Sequence, residues 1–188
     1  MDRDQVRQRL MDGTSVPFVI AEAGINHNGD LSLARHMIDL AAESDVDAVK
    51  FQTFNTEDFV MDRTIEYTYR SQGEEVTESM YEMFKRTEFS EEEWAEIKGY
   101  CDKKGIVFLS TPVTLAGARF LQSLGVDALK VGSDDFTNTP LIKEFASLGL
   151  PVLLSCGMAD EDEIRSTINA VQACSSEVCL MLCTSEYP

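Results

Sequence analysis

Short apolar strands alternate with amphipathic helices along nearly the whole chain, and this alternation restricts the fold more than any other feature. "FVIAEAG" (18–24) reads as a strand and is followed by the polar turn "INHNGD". "LSLARHMIDLAAES" (31–44) carries Leu33, Met37, Leu40 and Ala41 at helical spacing. "DAVKFQTF" is the second strand. A long polar stretch follows, ending in the helical "TESMYEMFKRTEF". Ser90, with Glu93 three residues on, makes a capping box for "EEEWAEIKGYCDKK", which Gly105 ends. "IVFLSTP", "DALKVGS", "LPVLLSCG" and "EVCLMLCTS" then read as strands three to six. Between them lie the helices "TLAGARFLQSLG", "TPLIKEFASLG" and "DEDEIRSTINAVQAC".

Strands separated by helices form a parallel sheet, because each crossover lays a helix over one face. Two architectures qualify, a doubly wound sheet and a (β/α)₈ barrel. The dinucleotide fingerprint G-x-G-x-x-G is missing after the first strand, which weakens the doubly wound reading. Polar residues recur instead at the carboxyl ends of the strands: Glu22, Lys50 with Gln52, Ser110 with Thr111, Lys130 with Ser133, Ser155, and Thr184 with Ser185. In a barrel those ends converge on one mouth. The expected class is therefore α/β, a TIM barrel present here as about six of its eight units. Residues 1–16 are expected to be an N-terminal extension, and 17–188 the barrel portion.

Composition narrows the function. The 188 residues carry a net charge of −17, which argues against a nucleic-acid surface. No apolar run is long enough for a membrane span, and the charged start "MDRDQVRQRL" lacks the centre of a secretory signal. A cytoplasmic protein is the expectation. The five cysteines include no C-x-x-C pair. Cys174, Cys179 and Cys183 lie close enough in sequence to suggest a metal set, but the strand placement of Cys179 and Cys183 favours buried, reduced thiols.

Only two of the sixteen basic residues, Lys50 and Lys130, fall inside the predicted strands, each near the carboxyl end. An acidic chain that keeps two lysines at one rim is expected to bind a small anion there, in a common cavity with Ser133 and Ser155. The competing reading pairs each lysine with a nearby acid. Glu22 reads as a carboxylate buried at the end of an apolar strand, either Lys50's partner or a general acid–base group. His27, in "NHNG", reads as a surface or turn residue, and His36 has no evident partner. Asp134 and Asp135 either bind sugar hydroxyls or open a solvated loop.

"IAEAGINHNG", "DAVKFQTF", "FLSTP", "LKVGS", "LLSCGM" and "CTSEYP" occur in order, one per strand. Together they resemble the N-acetylneuraminate (sialic acid) synthase family, with its legionaminate and pseudaminate relatives, over residues 17–188. The resemblance implies a (β/α)₈ barrel followed by an antifreeze-like domain. It implies condensation of phosphoenolpyruvate with an N-acetylated amino sugar, releasing phosphate and forming a nonulosonic acid. It places Lys50, Gln52, Thr111, Lys130, Ser133, Ser155 and Ser185 around phosphoenolpyruvate, Glu22 as the catalytic group, and Asp135 and Tyr187 in the sugar pocket. It also implies a homodimer and a divalent manganese or magnesium ion, with ligands expected beyond residue 188 and none within the chain.

Two departures stand out. The fourth strand ends in "SDD" where the family often has S-G-E, and Leu182 stands where a histidine is common. Two alternatives accompany the synthase reading. One is a phosphoenolpyruvate aldol-type synthase for a sugar phosphate, which would need a further basic cluster. The other is a non-catalytic half-barrel that binds anions or a partner protein. "IAEAGINHNG" and "SDDFTNTP" look closest to the legionaminate branch. The 188 residues alone are expected not to turn over substrate.

Overall fold

A computed structural model describes residues 3–11, 16–71, 73–174 and 176–185. Six strands, β1 (Ile20–Gly24), β2 (Ala48–Thr53), β5 (Val107–Pro112), β6 (Leu129–Val131), β7 (Val152–Ser155) and β8 (Val178–Met181), are the ones read from the sequence. They form two parallel three-stranded sheets, ordered β1-β2-β5 and β6-β7-β8. β5 and β6 lie side by side, which brings the two sheets together.

The intervening helices are α2 (Leu31–Glu43), α5 (Glu91–Lys104), α6 (Leu115–Ser123), α7 (Thr139–Ala146) and α8 (Glu161–Gln172). Local chemistry sets their ends. Asp30 accepts the N–H groups of Ser32 and Leu33 ahead of α2. Ser90 with Glu93, and Asp160 with Glu163, close full capping boxes, satisfying backbone donors that have no partner inside the helix. Gly105 ends α5 at φ +73°.

Each strand face has its own core. Val49, Phe51, Phe108, Leu129, Val131, Val152 and Leu154 pack beneath the helices against Ile38, Trp94, Ile97, Leu121, Ile142 and Phe145. The alternate residues Ala48, Val107, Leu109, Ala128 and Leu153 form a second cluster on the other face. Burial on both faces is why these strands read as continuous apolar runs.

Several features add to or differ from the expectations. The N-terminal extension contains α1 (Arg3–Met11), whose Val6 and Leu10 join the second cluster. Arg9 pairs with Asp47 at the foot of β2, and Arg7 with Glu177 ahead of β8. The polar stretch after β2 holds a short helix, α3 (Thr56–Phe59), and an antiparallel hairpin of β3 (Glu66–Ser71) and β4 (Glu74–Ser79). The helix after it, α4 (Met80–Thr87), starts later than "TESMY" suggested. On α2 the buried stripe is Ala34, Ile38 and Ala41, and Leu40 is half exposed, because the core side is one position off the largest apolar residues.

Candidate functional site

Strand pleating sorts the polar residues into two sets. Cα registers place Glu22 opposite Lys50, Gln52 opposite Thr111, and Lys130 opposite Leu153. Side chains two apart share a face, so Lys50, Thr111, Lys130 and Ser155 rise on the side carrying Ala48, Leu109, Ala128 and Leu153. Ser110, grouped with Thr111 in the sequence, points the other way. It is buried and shares a 2.7 Å hydrogen bond with Thr53 Oγ1.

Both lysines are withdrawn from solvent, Lys50 at 8% exposure and Lys130 at 6%. Lys50 Nζ lies 2.6 Å from Glu22 Oε2 and donates to Thr111 Oγ1 at 3.5 Å. Glu22 itself is not buried. Its side chain is 52% exposed, because β1 borders the described sheet and only β2 covers it. Among the described residues Glu22 is Lys50's partner, the first of the two readings of this carboxylate.

Lys130 differs. Its Nζ donates to Ser155 Oγ at 2.5 Å and to the Val131 carbonyl at 2.6 Å. Among the described residues no carboxylate lies within ion-pair distance of it. Burial, and secondarily the charge of Lys50, push its pKa down from 10.5 to about 8, while Cys183, Glu22 and Asp134 oppose the shift.

Ser133, in the loop after β6, accepts the Gly157 N–H at 3.0 Å and ties that loop to the one after β7. Ser185 is exposed and close to Gly157, where an added Cβ would lie 2.5 Å from Ser185 Oγ. Gln52 is half-buried. Asp135 accepts from Asn138 Nδ2 at 3.1 Å, which ties it to the turn before α7. Tyr187 lies outside the described residues. The two clearest cavities are elsewhere. One, about 200 Å³, is lined by Phe89, Trp94, Thr114 and Phe120, and the other, about 190 Å³, by Val6, Lys98, Asp102 and Asp127. The lysines share a face, but neither cavity contains them.

His27 corrects another expectation. It is fully buried on the helix side, stacked on Phe89 at 4.3 Å, and its Nδ1 accepts the Gly29 N–H. Burial lowers its pKa from 6.5 to about 4. Above pH 6.5 the imidazole is neutral in both folded and unfolded chains. Between 6.5 and 4 the unfolded chain takes up a proton that the folded one refuses. Stability should therefore fall across that window by up to about 3 kcal/mol. Urea midpoints at pH 7, 5 and 4 check this, and His27→Gln should flatten the dependence.

Among the described residues, no group of three or more His, Cys, Asp or Glu is placed to hold a metal ion. Glu22 is engaged by Lys50, and His27 packs on Phe51, on the face away from the lysines. The residues in hand do not fit the divalent ion that the resemblance implies. The five cysteines are free, and burial raises the Cys101 thiol to about 12, an inert packing group. No helix among the described residues is long and apolar enough to cross a membrane.

Comparison with known proteins agrees with this architecture. N,N'-diacetyllegionaminic acid synthase of Legionella pneumophila is 41% identical over 177 residues, covering 91% of this chain and 49% of that protein. Human N-acetylneuraminate-9-phosphate synthase is 33% identical, over 96% of this chain and 50% of its own length. The chain thus spans about half the length of these curated relatives. The crystal structure of N-acetylneuraminic acid (sialic acid) synthetase from Leptospira borgpetersenii in complex with citrate superposes with a TM-score of 0.79 at 35% identity. It covers 91% of this chain and 55% of that one. Residues 37–188 match the model of the NeuB family, and with these relatives they establish that the chain belongs to the NeuB family.

Proposed function

We propose that this chain forms the phosphoenolpyruvate-binding part of a nonulosonic acid synthase, as six of the eight units of a closed (β/α)₈ barrel. One observation carries the reading: a buried lysine without a carboxylate partner among the described residues, beside a second lysine on the same strand face. A buried ammonium left without a counter-charge is costly, and a bound anion removes that cost. Lys50, Thr111, Lys130 and Ser155 would hold the phosphate and carboxylate, with Gln52, Ser133 and Ser185 at the rim. The enol carbon would then attack the aldehyde of an N-acetylated amino sugar, and addition of water would expel phosphate. Glu22 would act by holding Lys50 in place through their ion pair. The greater identity to the legionaminic acid synthase than to the sialate-type relative supports a diacetylated 6-deoxy sugar as acceptor.

Calorimetry with phosphoenolpyruvate tests the site. Lys50→Met should weaken binding by about 1.5–3 kcal/mol, the scale of a charged hydrogen bond. Unchanged affinity would refute the assignment. Acceptor choice is tested by assaying the whole protein with N-acetylmannosamine and with its diacetylated 6-deoxy counterpart, where preference for the plain sugar would overturn the branch assignment. The 188 residues by themselves should form no product with manganese present, since among the described residues β1 and β8 border their sheets and no group of metal-ligating side chains is assembled.

A further inference from the structure

Lys130 has a hydrogen-bond arrangement that suits an amine as well as an ammonium. A protonated lysine carries three N–H donors, and a neutral one carries two together with a lone pair. Two acceptors lie at short range, Ser155 Oγ and the Val131 carbonyl, and no carboxylate among the described residues takes a third proton. In the neutral form both N–H bonds are satisfied and the lone pair stays free. Lys50, paired with Glu22 on the same face, disfavours a second positive charge beside it and offers a cation to a carboxylate. A desolvated lysine beside another cation is a recognised way to make an amine nucleophilic near neutral pH.

We infer that Lys130 captures 2-oxo acids covalently, as an imine, with the acid's carboxylate held by Lys50. The nitrogen lone pair attacks the C2 carbonyl to give a carbinolamine. The nitrogen then gives up its remaining proton, the hydroxyl leaves as water, and a C=N bond forms. Lys130–NH₂ and the oxo acid are thus converted into an imine and one water, with no oxidant or reductant consumed. The substrate class is a short 2-oxo acid, a group that also ends the product of the proposed condensation. The inference rests on the anion-binding reading of this face, and it adds a reversible covalent mode in which a product-like acid would compete with phosphoenolpyruvate.

Pyruvate with cyanoborohydride tests it, since the hydride reduces the imine to a stable secondary amine that peptide mass mapping can locate. Near pH 7.5, labelling at Lys130 should exceed that at the exposed Lys85, Lys103, Lys104 and Lys143 by roughly tenfold or more, because burial favours the neutral amine at Lys130. The labelling rate should rise with pH and level off above about 8. Propionate, which lacks the carbonyl, should give no adduct, and Lys130→Arg should lose the adduct while keeping the charge. Labelling spread evenly over exposed lysines, or retained in Lys130→Arg, would overturn the inference. Phosphoenolpyruvate affinity is measured on the same samples. Binding without an adduct overturns the covalent step alone, and an adduct without phosphoenolpyruvate binding overturns the synthase reading alone.

Discussion

Lys130→Met is expected to make the protein more stable at pH 7 while removing its affinity for phosphoenolpyruvate. The folded state lowers the Lys130 pKa from 10.5 to about 8, so burying the charge costs about 3 kcal/mol wherever both states are protonated. The sign follows from proton counts. Below pH 8 folded and unfolded chains both hold the proton, and the cost is present in full. Between 8 and 10.5 the unfolded chain holds more protons, so wild-type stability recovers as pH rises. Methionine fills a similar volume without charge, while Ser155 Oγ and the Val131 carbonyl each lose a donor, together costing about 2 kcal/mol. The net gain should be about 1 kcal/mol at pH 7, vanish as the charge cost is relieved above pH 8, and turn into a net loss by about pH 10. Urea denaturation of both proteins at pH 7, 9 and 10 measures it, and a variant less stable than wild type at pH 7 would show that the ammonium is already compensated. Phosphoenolpyruvate binding by the wild type should weaken as pH rises through 8, because only the charged form attracts the anion.

Gly29→Ala should cost about 4 kcal/mol, near the upper end for a single substitution. Gly29 has φ +75°, and a Cβ built there would lie 2.2 Å from the backbone oxygen of Arg86. Its N–H also donates to His27 Nδ1, so a displaced backbone would disturb the imidazole stacked on Phe89. Gly105 provides the comparison. It has φ +73° with nothing within 4 Å of the added carbon, so Gly105→Ala should cost only the left-handed penalty of about 1–2 kcal/mol. Equal urea midpoints for the two variants would mean that the Arg86 segment yields, and the close approach would then carry no stability.

Local rules were enough to read most of the secondary structure. The capping box at Ser90, the glycine stop at Gly105 and the apolar runs of the parallel strands depend on neighbours in sequence, and a local pattern reports them. The hairpin at Glu66–Ser79 escaped because most of its residues are polar: "EEVTES" has a single aliphatic residue, and the alternation in "EYTYRS" rests on Tyr67 and Tyr69 alone. Its clues were the tyrosines and threonines and the glycine between the two arms, Gly73.

What the sequence determined by itself is the order of strands, the helices between them, and the presence of two lysines and several hydroxyls at strand ends. Pairing and burial belong to the tertiary structure. Strand register put Ser110 and Thr111 on opposite faces, though both sit at one strand end. The sheet border left Glu22 exposed, and the turn against α4 carried His27 into the helix-side core. The second core, closed by α1, needed a contact between residue 6 and strands more than forty positions away. Lys50 and Lys130 have nearly the same local context, each in an apolar strand. They differ because Glu22 lies across from one and no described carboxylate reaches the other, and electrostatics depends on distance in space, which spacing along the chain does not specify.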